Sequence, residues 1–304
     1  MTQMMHPAEI MNLQGLSQWG GLSGHTLEEA DVVLAGIPYD GSAVYRKGAA
    51  HAPARMRELS AALPPVIESG RLLQGLSVHD LGDLPMGDDV ENNWESVATT
   101  LGLVPSGSVL TVMGGDHCSA IPVIAAQARR HPDLAVVWVD AHPDLNAYSR
   151  GGGWTCGCAL RRALDVSGIK PSAVTQAGGR DFDYDEIQFM HDEGMLLLTT
   201  SVIFREPQAV GQIIAERIGD RPVHISFDID VLDPAFAPGT EIPSAGGLST
   251  RQALEFLAAI GERTRLVGLD VVEVSPPYDV GNITTLAALK LIFEFWGLAW
   301  KQTA

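Results

Sequence analysis

Apolar residues along this chain fall into short, nearly unbroken runs rather than a strict in-and-out alternation. The strand-like stretches are Asp31 to Ile37, Ser77 to Leu81, Ser108 to Met113, Leu134 to Val139, Ala173 to Ala177, Met195 to Thr199, Val223 to Phe227 and Leu266 to Val271. Runs that are apolar and β-branched on consecutive positions fit strands covered on both faces, as in a parallel sheet. Helical spacing of apolar residues lies between most of them: Pro53 to Leu59, with proline in its first turn, then Asn92 to Leu101, Ala120 to Arg130, Ala209 to Ile218 and Thr250 to Gly261. Strand and helix in turn predict an α/β fold built on a mostly parallel sheet. The greasiest stretch, Leu286 to Trp300, is too short for a membrane span and carries Lys290 and Glu294, which predicts a packed terminal helix.

With 304 residues the chain is long enough to bury a large core, and it contains no repeat, low-complexity tract or linker. It therefore reads as a single catalytic-sized domain over residues 1–304, with a loop-like N-terminal arm of about 1–30. Met1 to Gly24 lacks a continuous apolar core with a cleavage site, so no signal peptide is expected. Cys118, Cys156 and Cys158 are an odd set that does not resemble a disulfide framework, and a cytoplasmic location is expected. A net charge of -17 argues against nucleic acid as a partner and mildly favours a cationic substrate or metal ions.

Four of the strand-like runs end in chemistry. Leu134 to Val139 leads into Asp140-Ala141-His142-Pro143-Asp144, three potential metal ligands within five residues. Taken alone, that stretch could equally be a polar turn with Asp144 capping a helix. Other strand ends supply partners, however: Gly114-Gly115-Asp116-His117, where paired glycines permit a sharp turn and close approach, Asp228-Ile229-Asp230, and Glu273 after Asp270. His117, Asp140, His142, Asp144, Asp228 and Asp230 offer more donors than one tetrahedral zinc takes. Mixed imidazole and carboxylate donors suit two divalent first-row ions about 3.5 to 4 Å apart, with shared aspartates between them.

These stretches, together with Ser226-Phe227-Asp228-Ile229-Asp230-Val231-Leu232-Asp233-Pro234, resemble the signature motifs of the ureohydrolase family, which includes arginase and agmatinase. The resemblance implies a three-layer αβα fold with an eight-stranded parallel sheet. It also implies two metal ions per subunit, manganese in most members and nickel in some. One ion would be held by His117, Asp140, Asp144 and Asp228, the other by Asp140, His142, Asp228 and Asp230, with Asp140 and Asp228 bridging. Metal-activated water would attack the guanidinium carbon and release urea or a urea-like product and an amine. Asp144 would also shuttle a proton, and Glu273 would pair with the substrate guanidinium. Relatives assemble as trimers or hexamers, so a homo-oligomer is expected.

The chain departs from the family pattern in the loop that follows. A family histidine before glycine is replaced by Cys156, which is read as a packed thiol of ordinary pKa, about 8.5, or as a nucleophile. Trp154 stands at a small polar position, either stacking on a substrate cation or closing the loop over the core. Glu241 replaces a glycine, either binding a second cationic group or facing water. Asn146 and Asp183 match positions that hold an amino-acid head group in arginase-like members. Taken together, Trp154, Cys156 and Glu241 favour a small cationic guanidino compound, such as guanidine, a biguanide or a guanidino amine, over arginine. The alternatives are an agmatinase or arginase proper, and a weakly active partner subunit of a hetero-oligomer. A metal-dependent deacylase on a related fold matches the motifs poorly. Cys118 and the histidines His6, His25, His51, His79, His131, His191 and His224 show no ligand spacing and read as packing or surface residues.

Overall fold

Strand order decides which loops meet. The computed structural model describes residues 18–301 except 88 and 150, and His6 and most of the N-terminal arm lie outside them. Among the described residues, one sheet contains β1 (Val32–Gly36), β2 (Val78–Asp83), β3 (Val109–Met113), β4 (Ala135–Val139), β5 (Val174–Ala177), β6 (Leu196–Leu198), β7 (Pro222–Asp228) and β8 (Arg265–Val272). All pairings are parallel, and the order across the sheet is β2-β1-β3-β8-β7-β4-β5-β6. Each apolar run read from the sequence is a strand of this sheet.

The unbroken runs have a direct cause. Successive residues of a strand point to opposite faces, and both faces are packed. Val32 and Leu34 enter one apolar cluster, while Val33 and Ala35 enter the other. Val137 and Val139 likewise oppose Val136 and Trp138. Helices Pro207–Ile218, Thr250–Gly261 and Ile283–Lys301 cover the first face, and Val90–Leu101, Ala120–Arg130 and Ala159–Ser167 cover the second. The result is the three-layer αβα arrangement.

Three helices were not legible in the sequence: Ala159–Ser167, Tyr184–Asp192 and Thr200–Arg205. Each is short, and Tyr184–Asp192 buries only Glu186 and Met190, too little for a recognisable apolar stripe. The terminal helix corrects a second expectation. Ile283–Lys301 has 19 residues, and by length and composition Ile283–Trp300 is long and apolar enough to cross a bilayer. Yet 67% of that window is buried inside the protein. Its Phe295 and Trp296 are fully enclosed, and the Trp296 indole donates to Thr111 Oγ1 of β3 at 2.9 Å. The helix is therefore packed, as expected, but for burial rather than for shortness. Trp19, at the described end of the N-terminal arm, rests on Trp296 with ring centroids 5.5 Å apart.

The sheet places β8 and β7 between β3 and β4. The first three strands occupy one side, with β1 between β2 and β3, the next three run outward on the other, and the chain then returns to fill the gap. A crevice outside the C-terminal ends of strands at such a switch point is where open α/β sheets bind ligands. The four central neighbours are the strands that end in donors.

Gly115 sits where the ends of β3, β8 and β1 meet. Glu273 donates its N–H to the Gly115 carbonyl at 2.8 Å, and Asp116 donates to the Tyr39 carbonyl at 2.7 Å. A Cβ on Gly115 would lie 1.7 Å from Tyr39 O, so close approach, not a left-handed backbone, demands glycine here. The expected outcome for Gly115→Ala is destabilisation of about 3 kcal/mol or more, because the clash is with backbone that cannot swing away. Denaturant unfolding checks this, and a midpoint equal to that of the parent would refute it.

Candidate active site

The donors converge from four strand ends. After β4 the chain is tied to its neighbours, with Asp140 N–H donating to Ala177 O at 2.9 Å and Ala141 N–H to the Asp230 carboxylate at 3.2 Å. Asp140 divides its two oxygens. Oδ2 lies 2.9 Å from His117 Nδ1, and Oδ1 lies 3.5 Å from His142 Nδ1. His117 Nδ1 also has Asp144 Oδ2 at 3.1 Å and Asp228 Oδ2 at 3.2 Å, while His142 Nδ1 has Asp230 Oδ2 at 3.0 Å. Two donor groups thus share Asp140: His117, Asp140 and Asp144 with Asp228 beside them, and Asp140, His142 and Asp230. Asp228 reaches the first group by contact. Its Oδ1 accepts the Asp230 N–H at 2.7 Å, which turns it toward the second.

The His117 ring is fixed from behind. Its Nε2 meets Ser226 Oγ at 3.1 Å, and Ser226 donates to Asp270 Oδ1 at 2.7 Å. Asp270 Oδ2 accepts the His224 Nε2–H at 2.6 Å, and Gln127 Nε2 donates to His224 Nδ1 at 3.1 Å. Ser226 donates its hydroxyl to Asp270, so it accepts from His117 Nε2 and leaves Nδ1 as the nitrogen that faces the carboxylates. Such outer partners orient a ligating imidazole and set its tautomer. Trp138 stacks on the ring, 3.9 Å between centroids and 7° off parallel, and donates its indole N–H to Asp140 Oδ2 at 3.0 Å. His224 had read as an ordinary packing residue; it is fully buried and belongs to this chain of bonds.

His117 Nδ1 is buried, surrounded by three carboxylate oxygens, and hydrogen-bonded to none of them. Three carboxylates around that nitrogen call for positive charge among them, a proton on the ring in the metal-free protein or a cation in its place. The donor set therefore fits divalent metal, and its oxygen and imidazole composition fits a first-row ion.

The protonation equilibria carry the same strain. Burial, and then the charge of Asp140, push Asp144 up to about 8. Burial followed by the charges of Asp230 and Asp140 hold Asp228 well above the usual carboxylate range. Burial opposes the charged form of His142, but Asp230 and Asp140 outweigh it and raise the imidazole to about 12. His117 is raised in the same way, against burial, by Asp140, Asp144 and Asp228. Backbone strain marks the site too. Asp144 has φ 54° and Glu273 φ 64°, left-handed values that side-chain-bearing residues seldom adopt and that concentrate at functional positions.

A cavity opens over these donors. His142, Asp144, Asp228, Asp230 and Glu273 line its floor, with Asn146, Cys156, Asp181, Asp183 and Glu186 among the walls and Tyr45 and Tyr148 at the mouth. Asn146 Nδ2 donates to Asp183 Oδ2 at 3.1 Å, so these two sequence-predicted residues do meet. Cys156 lines the cavity but is buried, and its thiol does not keep the ordinary pKa read from the sequence. Burial, then the charges of Glu273 and Glu241, push it well up, which disfavours a nucleophilic role. Glu241 does not face water; it is fully enclosed beside Glu273. Trp154 is not among the cavity-lining residues. It packs against the second apolar cluster, its carbonyl facing the Cys118 thiol at 3.7 Å, so the stacking reading is replaced by loop closure. Asp181, Glu186 and Tyr45 were missed in the sequence. Asp181 alone left a signal, lying inside the Arg180-to-Asp183 segment.

The arginase family model matches residues 30–297. The chain belongs to the arginase family. It is 37% identical over 269 residues to proclavaminate amidinohydrolase of Streptomyces clavuligerus, covering 86% of this chain and 85% of that protein. The solved structure of that enzyme superposes with a TM-score of 0.79 at 35% identity, over 89% of this chain and 91% of that one. The chain is 34% identical to guanidinopropionase of Pseudomonas aeruginosa, over 99% and 97% of the two chains. Agmatinase of Bacillus anthracis is 33% identical, over 91% and 94%. This arginase-family chain is thus an amidinohydrolase of guanidino compounds, and its named relatives differ in substrate.

A metal ion that bound among these donors would have to displace protons from His117, His142 and Asp144. Because those pKa values are raised in the metal-free protein, apparent metal affinity should climb as pH rises from about 6 to 9, with at least about one proton released per chain at pH 7. Titration calorimetry in buffers of different ionisation enthalpy measures that release. Binding without proton release would contradict the assignment.

Proposed function

We propose that this chain is a two-metal amidinohydrolase for a small cationic guanidino compound without an amino-acid head group, such as guanidine, a biguanide or a guanidino amine. Manganese is the preferred ion and nickel the alternative. The carrying observation is the charge of the cavity. Among the described lining residues Arg180 is the only arginine, and its two terminal nitrogens donate to main-chain carbonyls: Asp230 O at 2.6 Å, Ser244 O at 2.9 Å and Val231 O at 3.2 Å. Asp181, Asp183 and Glu186 line the walls. Among these described residues a substrate carboxylate would meet mostly anions, whereas an amine or a bare guanidinium would be welcomed.

His117, Asp140, Asp144 and Asp228 would hold one ion, and Asp140, His142, Asp228 and Asp230 the other. When bound, the ions supply a nucleophilic water of lowered pKa and a positive field at the reacting carbon. The chain's own residues do the rest. Glu273 points an unpartnered carboxylate oxygen, Oε2, into buried space at the cavity floor, where a planar guanidinium offers N–H donors. Its Oε1 is held by the His117 N–H at 2.7 Å, which registers the substrate against the donors. Asp144 borders both the donor group and the cavity, so its carboxylate is placed to carry a proton to the leaving nitrogen.

Release of urea and amine should be screened with manganese- or nickel-loaded protein over arginine, agmatine, guanidino acids, guanidine and biguanides, alongside metal analysis. The expected outcome is two ions per chain and the highest kcat/KM on a substrate without a carboxylate. Best turnover on arginine or a guanidino acid would sink the substrate reading. Asp144→Asn should lower kcat by about 10²- to 10⁴-fold, and a variant with parental kcat would remove Asp144 from proton transfer.

A further inference from the structure

Beside the cavity floor lies a second buried acid that the metal donors do not use. Glu241, Glu273 and Cys156 each place one donor atom within 4.8 Å of the others, and all three residues are buried. Glu241 Oε1 accepts the Tyr45 N–H at 3.4 Å; its Oε2 and Glu273 Oε2 receive no donor from the rest of the chain, and the two carboxyl groups meet each other. A buried carboxyl pair left to itself has only a shared proton or an incoming cation to relieve its repulsion. Glu273 and Cys156 line the cavity, and Glu241 is buried beside them. The nearby Arg46 turns its Nε and Nη2 to the carbonyls of Thr240 and Pro238 instead.

We propose that Glu241 is a specificity-determining residue: with Glu273 it forms a two-carboxylate seat that reads N–H donors along two edges of a planar cation. The inference rests on the guanidino-hydrolase reading above and sharpens it. A single carboxylate grips one edge of a guanidinium and leaves the next nitrogen indifferent to substitution. A second carboxylate beside it demands hydrogen there as well, since an N-methyl group would leave a buried oxygen unpaired. The seat therefore selects substrates whose terminal guanidine end carries its full set of N–H groups.

Glu241→Gln is the test, since its amide oxygen can still accept the Tyr45 N–H while Oε2 is replaced by a donor. In metal-loaded protein, guanidinium chloride binding is measured by calorimetry. Turnover is compared for the best guanidino substrate and its terminally N-methylated form. The expected result is unchanged metal content, guanidinium affinity lowered about tenfold or more, and KM raised by a similar factor with kcat within about threefold. Discrimination against the methylated substrate should also shrink about tenfold. Unchanged guanidinium affinity would overturn the proposal, as would loss of a third metal equivalent, which would make the cluster an ion site. Should Glu241→Gln fail to fold, Glu241→Asp draws the carboxylate back and gives the same reading: weaker guanidinium binding supports the seat and equal binding refutes it. Because guanidinium binding needs no turnover, a parent that binds guanidinium through Glu241 yet hydrolyses nothing in the screen would refute the hydrolase reading and leave the seat standing.

Discussion

Mutual repulsion among buried carboxylates is the constraint on which the rest of this structure depends. Asp140, Asp144, Asp228 and Asp230 are each at most 5% exposed. Anions that close in a medium of low polarity stay charged only beside compensating positive charge. The sheet supplies rigid strand ends to hold them there, a chain of buried hydrogen bonds aims His117 among them, and two residues accept left-handed backbone to do the same. A protein that keeps such a cluster intact is keeping a place for cations.

Much of this was legible in the sequence for a physical reason. Strands packed on both faces leave largely apolar runs, and clusters of polar residues at the ends of such runs stand out against them. His117, Asp140, Asp228 and Glu273 each follow a strand in that way. What was not legible depends on contacts between distant segments. Nothing in the sequence shows that the carbonyls of residues 230, 231 and 244 surround the terminal nitrogens of Arg180. Trp154 reads equally as a stacking platform or a plug, and only the packing against the second apolar cluster decides. His224 carries no ligand spacing because it serves a ligand at one remove. The last helix was cut short in the reading because Ile283 to Thr285 mixes apolar and polar residues, and Thr284 and Thr285 are satisfied by Asp279 rather than by water.

The site divides into parts that answer to different pressures. The candidate metal donors sit at the strand ends, while the cavity walls come largely from around Tyr45, from Asn146 to Cys156 and from Arg180 into the helix Tyr184–Asp192. A scaffold with this division can alter the walls without moving the donors. That separation accounts for relatives of similar identity named for unlike guanidino substrates.

The bonds behind His117 form a closed mechanical loop. The chain leaves His117 through a short turn into helix Ala120–Arg130, and from that helix Gln127 returns to the same imidazole through His224, Asp270 and Ser226. One helix thus grips the ring at both ends, by covalent connection on one side and by hydrogen bonds crossing β7 and β8 on the other. Tilting the helix or sliding it along the sheet would have to break the loop before it could turn the ring. The candidate ligand therefore turns only with the helix that holds it, and its aim is set by residues that line no part of the cavity.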